Sequence, residues 1–200
     1  MRKFADRERA IIQRKLLEQG KRLFSALGLK KTSVADLTKA AGIAQGSFYL
    51  FYSAKEELYF DILEEEESEL RALMIAPLQE ADTVDRTLFK RFLQQSLALF
   101  EERPLLRQLF DQDVMEALLR KLPEEKLQAN FIDDAGDLLP VIERGQREGW
   151  MAKRDPEAIV SVIRSLVVLS LQRQQIGEAR YEGTMALLID CIANELILET

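Results

Sequence analysis

Along the first part of the chain, apolar or small residues return every third or fourth position: Leu16, Gly20, Leu23, Phe24 and Leu27 fall on one stripe. That period predicts a first helix over 6–27 with one face turned to a core. Gly20 costs about 1 kcal/mol against Ala in a helix interior, so close approach by another backbone is expected there. Gly28 stands where a helix ends on a left-handed residue. Val34, Leu37 and Ala41 then mark the apolar face of a short second helix. Thr32 or Ser33 caps its start, and Ser33 and Asp36 have the spacing of a capping box. Gly42 breaks this helix, and Ile43 is an apolar peg at the start of the next element. Helix, tight turn and helix in these proportions predict a helix-turn-helix.

Residues 48–52 put four aromatics into five positions: Phe48, Tyr49, Phe51 and Tyr52. Placed on a strand, they make both faces apolar and demand a sheet, and no partner strand is visible in the chain. Placed on a helix, Phe48, Phe51 and Tyr52 lie together as i, i+3 and i+4, while Tyr49 shares its face with Gln45. The helical arrangement buries Phe48 and Tyr52, leaves Phe51 at the margin and turns Gln45 and Tyr49 outward, side by side. Ser53-Ala54-Lys55-Glu56 has the form of a second capping box and opens a helix over 54–74. Lys55 falls in its first turn, where a cation opposes the helix dipole. It is either an ordinary surface lysine or, with the exposed N–H groups, a holder of phosphate.

Five further helices are expected, at 83–101, 104–121, 123–149, 155–176 and 180–198. Pro104, Pro123 and Pro156 fall near N-terminal starts, where proline is tolerated. Pro140, inside the third of these segments, predicts a kink or a split, which either opens a cavity or marks a short connection. Glu64–Glu67 fan around their helix and predict a solvated face. The segment from Ile159 to Leu171 is apolar over more than one face, as is the last helix with Met185, Leu187, Leu188, Ile189, Ile192, Leu196 and Ile197. Such helices are buried on several sides. In a chain of 200 residues a second copy is the expected cover, which makes the protein a homodimer. The fold class is all-α.

Charge adds a division of labour. Residues 1–55 carry twelve Lys/Arg against four Asp/Glu, and residues 56–200 carry sixteen against thirty, so a head of net charge +8 precedes a body of −14. A basic head suits a polyanion, and a glutamine beside a tyrosine on its third helix suits a DNA groove. With no histidine and one cysteine, Cys191, Ser–His–Asp and Cys–His nucleophiles and an ordinary zinc site are excluded. No metal or cofactor is expected. The lone cysteine points to a reducing cytoplasm. The start MRKFADRERA lacks an apolar h-region, so no secretory leader is expected. No membrane span is expected either, because the apolar run 165–172 is bounded by Arg164 and Arg173, far short of about 20 residues.

Several spaced elements together, LFSALG (23–28), TSVADLTKAAGI (32–43), QGSFY (45–49) and AKEEL (54–58), resemble the DNA-binding domain of the TetR family of bacterial transcriptional repressors. The resemblance covers residues 16–58 and is architectural beyond residue 60. It implies a three-helix DNA-binding head over 1–53 whose third helix enters the major groove of a palindromic operator. It implies a ligand-binding and dimerisation body over 54–200, with the last two long helices forming a four-helix dimer bundle. The residues matching the family's DNA-contacting positions are Thr32, Ser33, Ala44, Gln45, Gly46, Ser47, Tyr49 and Lys55. Tyr49 and Lys55 would hold phosphates, and Gln45 would read a base, since its amide can pair bidentately with adenine. Leu50 and Phe51 match positions that sometimes touch DNA. Ala44 stands where Ser or Thr is more usual, and Gln19-Gly20 where a small pair is usual.

The function so implied is a regulator, most often a repressor, released from DNA by a small-molecule effector of unknown identity. For the effector site, Phe92, Phe110 and Phe131 either line a pocket or pack in the core. Arg164 pairs with Asp190, bridges across the dimer, or anchors an acidic effector. Two rival readings stand beside this one: a small helical enzyme using carboxylates such as Asp133/Asp134 or Glu64–Glu67, and a partner-binding helical module.

Overall fold

Helix α1 runs Asp6–Lys31 in the computed structural model, which describes residues 6–108, 111–126 and 136–198. It buries Ile12, Leu16, Gly20, Phe24 and Leu29. Its regular winding is interrupted at Gly28, whose φ of 79° and ψ of 166° lie in a region open essentially to glycine alone. At Gly20 the crowding comes from side chains and not, as expected, from a backbone. A Cβ there would stand 2.8 Å from Ile62 Cδ1 and 3.3 Å from Leu58 Cδ2. Both belong to helix α4 (Lys55–Glu80), which packs its branched residues into the space a methyl would fill.

Helix α2 (Val34–Ala41) starts at Ser33 and ends on Gly42, which is left-handed at φ 72° and ψ 33°. Helix α3 (Gln45–Phe48) is only four residues long. The winding goes on as turns, with Phe51 N–H donating to the Phe48 carbonyl at 2.9 Å and Tyr52 N–H to the same oxygen at 3.1 Å. The box at the start of α4 closes one residue later than expected. Ser53 donates its N–H and its hydroxyl to Glu57 Oε2, at 2.7 and 2.9 Å, because the first helical residue is Lys55 and its third is therefore Glu57. The helix also runs past residue 74, through Pro77 to Glu80. Its final carbonyls find a cap, since Arg144 donates to Leu78 at 2.7 Å and to Gln79 at 3.2 Å.

By its contacts the chain divides into two compact units. The first is Met1–Glu67 with Pro104–Gln128. Leu16, Phe24, Leu37, Phe48, Tyr59 and Leu106 are fully buried in it, and the Phe24 and Tyr59 rings meet edge to face at 5.1 Å. The expected helix at 104–121 is two: α6 (Pro104–Gln108) and α7 (Gln112–Lys121), the second capped by Asp111. Gln108 hooks α6 to its neighbours, donating Nε2 to the Phe24 carbonyl at 3.1 Å and accepting the Tyr59 hydroxyl at 3.3 Å. Burial, with the Asp111 charge in second place, pushes the Tyr59 phenol well up. The Glu64–Glu67 run is not the solvated face expected of it. Glu66 is buried and ion-paired with Lys21 of α1, so one carboxylate of the four faces inward.

The second unit is Ser68–Arg103 with Ala129–Thr200. Its helices are the rest of α4, α5 (Arg86–Glu101), α8 (Leu138–Glu148), α9 (Pro156–Ser170), α10 (Arg173–Ile176) and α11 (Glu178–Leu196). They close over Phe89, Trp150, Ile159, Ile163, Met185 and Ile189, among others. Pro140 falls in the first turn of α8, where its missing N–H would have had no partner, so it does not kink a helix interior. Leu171 and Gln172 divide the expected 155–176 helix into α9 and α10. Among the described residues there is no strand, only an isolated antiparallel bridge between Met151 and Ile197. No described helix is long and apolar enough to cross a membrane.

Candidate nucleic-acid interface

The turn between α2 and α3 is built by short-range bonds. Ser33 accepts the Asp36 N–H at 3.2 Å, and Asp36 Oδ2 accepts the Ser33 N–H at 3.1 Å. The Ser33 hydroxyl, and after it the Ser33 backbone N–H, hold the Asp36 carboxyl below its ordinary range. The left-handed Gly42 and the bond from Ile43 N–H to the Thr38 carbonyl (3.0 Å) turn the chain. Ala44 then stands at the N-cap of α3 without a side-chain cap, the consequence of a methyl where a hydroxyl would bond.

From this turn Ala44, Gln45 and Gly46 are exposed, Ser47 is half-buried, and Tyr49 is 58 % exposed. Phe48 is fully buried beneath them, its ring 5.5 Å from Tyr49 edge to face and 5.8 Å from the buried Tyr52. Phe51 is half-buried. The helical arrangement of the aromatics therefore holds side chain by side chain, although only Gln45–Phe48 is regular helix. Four residues cannot form a helix unaided; Phe48 and Tyr52 anchor this one to the core.

Two of the anticipated DNA-contacting side chains are engaged inside the protein. Thr32 is buried and donates its hydroxyl to the Gly28 carbonyl at 2.8 Å. Lys55 donates Nζ to the carbonyls of Leu29 (2.7 Å) and Thr32 (2.8 Å). Gly28 interrupts the regular winding of α1, which leaves carbonyls from Gly28 onward without intrahelical donors; Lys55 and Thr32 take three of them, those of Gly28, Leu29 and Thr32. Ser33 is exposed. Sequence reasoning missed Arg9. Its Nη2 donates to the Leu50 carbonyl at 3.0 Å and its guanidinium lies 5.3 Å from the Phe51 ring centroid. A contact spanning 41 positions leaves no local signature.

The residues singled out for an effector do not converge. Phe92 is a core residue, its ring tilted against Phe89 at 5.7 Å. Phe110, Phe131, Asp133 and Asp134 lie outside the described residues. Arg164 is exposed on α9, and the pairing with Asp190 is replaced: Asp190 takes Lys90 of α5 at 2.7 Å. A cleft of about 350 Å³ lies in the first unit, between Lys30 and Lys55 on one side and Asp111, Glu116 and Arg120 on the other. Its lining is mostly charged, unlike a pocket lined by phenylalanines.

A short helix with an outward polar face, reached through a glycine turn on a cationic segment, defines a helix-turn-helix DNA-binding regulator. Comparison with known proteins points to the same class. Residues 16–62, the segment that holds this turn, match the bacterial regulatory proteins of the tetR family. It is similar to the HTH-type regulator YvdT of Bacillus subtilis, 46 % identical over 44 residues, which are 22 % of this chain and 23 % of YvdT. It is similar over more of its length to YhgD of the same organism, 26 % identical over 162 residues, 76 % of this chain and 78 % of YhgD. Among solved structures, a TetR-family transcriptional regulator from Pectobacterium atrosepticum superposes with a TM-score of 0.74 at 21 % identity, covering 98 % of this chain and all of that one. The kinship is with transcriptional regulators, not enzymes, which removes the carboxylate-enzyme reading.

Proposed function

We propose that the protein is a cytoplasmic, homodimeric repressor that reads a palindromic duplex through its residues 1–53 and is released by a small-molecule effector held in residues 54–200. The observation that carries the DNA contact is the outward pair Gln45 and Tyr49 above buried Phe48 and Tyr52. Gln45 reads a base edge in the major groove, with Ala44, Gly46 and Ser47 against the groove wall, and Tyr49 and Ser33 bond phosphates. Thr32 and Lys55 serve the same surface from behind, by tying the end of α1 to the starts of α2 and α4.

Support for the dimer comes from apolar side chains left at the surface of α9 and α11: Val162, Val168 and Leu169 on the first, and Leu187, 64 % exposed, on the second. A two-fold axis would set like faces together. Arg164, exposed among the α9 residues, would then bridge to the partner subunit or anchor an acidic effector. Half-sites of such dimers lie about 34–36 Å apart or at multiples of that, so an effector acting through α4 would release DNA by changing the spacing of the two heads.

The experiment is selection of binding sites from a random duplex pool, with sedimentation equilibrium on the same preparation. An inverted repeat bound by a dimer is the expected result. Recovery of no sequence, or a stable monomer bound to a single half-site, would overturn the reading.

A further inference from the structure

Beside the DNA-reading turn stands a cation to which none of these roles is assigned. Leu50 and Phe51 directly follow Tyr49, and Arg9 touches both, by a 3.0 Å bond to the Leu50 carbonyl and by the face of the Phe51 ring at 5.3 Å. The two contacts hold the guanidinium at the edge of the turn that presents Tyr49. An arginine carries five N–H donors, and this bond uses one. Asp6 and Glu8 share its stretch of α1, yet among the described residues no carboxylate meets the group, and Arg9 is itself exposed. A carbonyl orients a guanidinium without neutralising it. What results is a fixed positive fork with spare donors and no counter-charge, the arrangement that takes an oxyanion.

We propose that Arg9 is a DNA-backbone contact, its spare N–H groups bonding a phosphodiester oxygen next to the one held by Tyr49, once in each head. The proposal rests on the DNA-binding reading above and deepens it. Because a phosphate carries no sequence information, Arg9 contributes affinity at every site equally and specificity at none. Its bond to Leu50 gives it a second consequence: the same side chain that grips the backbone braces the turn from which Tyr49 projects.

The test compares the wild type, Arg9→Gln and Arg22→Gln by fluorescence anisotropy on one labelled duplex recovered by selection, at a series of salt concentrations, with melting curves for all three. Gln at position 9 keeps an N–H donor and removes the charge. Arg22 is the control, bonded among the described residues to Gln19 within its own helix and about 20 Å further along it. Each phosphate contact contributes about 0.9 to the slope of log affinity against log salt. Arg9→Gln is therefore expected to flatten the slope by about 1.8 per dimer. Between about 50 and 200 mM salt it would lose roughly tenfold less affinity than the wild type, while Arg22→Gln keeps the wild-type slope. A slope for Arg9→Gln parallel to the wild type, with or without a lower melting temperature, would make Arg9 a brace alone and overturn the proposal. Equal flattening by Arg22→Gln would overturn it too, as a general effect of charge. A wild type that binds no duplex would bring down the DNA-binding reading itself, whereas parallel slopes remove only Arg9.

Discussion

In the first unit, short helices depend on polar caps and a few buried anchors; the second also has polar caps, at Asp85, Asp155 and Arg144, but its long helices are held by broad apolar faces. Ser33 with Asp36, Ser53 with Glu57, Lys55 on two carbonyls and Gln108 on a third all work around α2, α3 and the end of α1. Short helices gain few hydrogen bonds for the residues they fix, so they depend on caps and on a few buried anchors. Across α5, α9 and α11 of the second unit, large apolar faces meet, and part of those faces is left uncovered at Val162, Val168, Leu169 and Leu187. The contrast teaches where each unit is vulnerable: the first to loss of single bonds and anchors, the second to loss of a covering surface.

The largest effect should come from charging that surface. Leu187→Glu is expected to give monomers by sedimentation equilibrium, with a second unit that unfolds more readily because such interfaces fold and associate together. Leu187 is a cleaner probe than its neighbour Leu188, which is packed against the core of its own unit. If Leu187→Glu remains a dimer, the contrast fails on the side of the second unit.

Next in size is Phe48→Ala, a truncation under α3 that should cost about 3–5 kcal/mol and melt the first unit, seen as lost amide protection over residues 33–52. Gln45→Ala should leave that protection intact and relax preference at one base of each half-site by about 1–3 kcal/mol. The opposite pattern would mean that the faces of α3 are exchanged.

Lys55→Ala should cost about 1.5–3 kcal/mol, the scale of hydrogen bonds to a charged group, and urea unfolding would measure it. A variant of unchanged stability with a flattened salt slope would instead assign Lys55 to a phosphate.

The smallest effect concerns the cap of α2. Ser33→Ala should cost about 1 kcal/mol, and it should also alter the acid limb of stability. The Asp36 carboxyl is held below its ordinary value of 3.8, chiefly by the Ser33 hydroxyl. Its contribution is thus complete above that value and is lost as the pH falls through the depressed one. Urea titrations between neutral pH and about pH 2 should show a shallower acid loss in the variant. An unchanged acid limb would show that Ser33 does not hold Asp36.

What could be known in advance was local. The capping box at Ser33, the breaks at Gly28 and Gly42, and the inward and outward aromatics at 48–52 depend on residues within about four positions of one another, and those relations survive in any fold that keeps the helices. The charge division between head and body was also present in the chain itself, as was the family resemblance that pointed to DNA. Helix lengths were less well marked, because Pro77 and Pro140 mean different things in an interior and in a first turn.

The tertiary structure alone decided the pairings. Lys55 looked like a surface cation until the end of α1 came within 2.7 Å of it; Glu66 looked solvated until Lys21 and α1 covered it; Asp190 went to Lys90 and not to Arg164. Arg9 acquired a role only when α1 was laid beside Leu50. Charge and polarity belong to a residue, but a partner belongs to the packing, and side-chain bonds such as those of Lys55 to Thr32 across 23 positions and of Gln108 to Phe24 across 84 are set by which helix faces meet, not by any spacing along the chain.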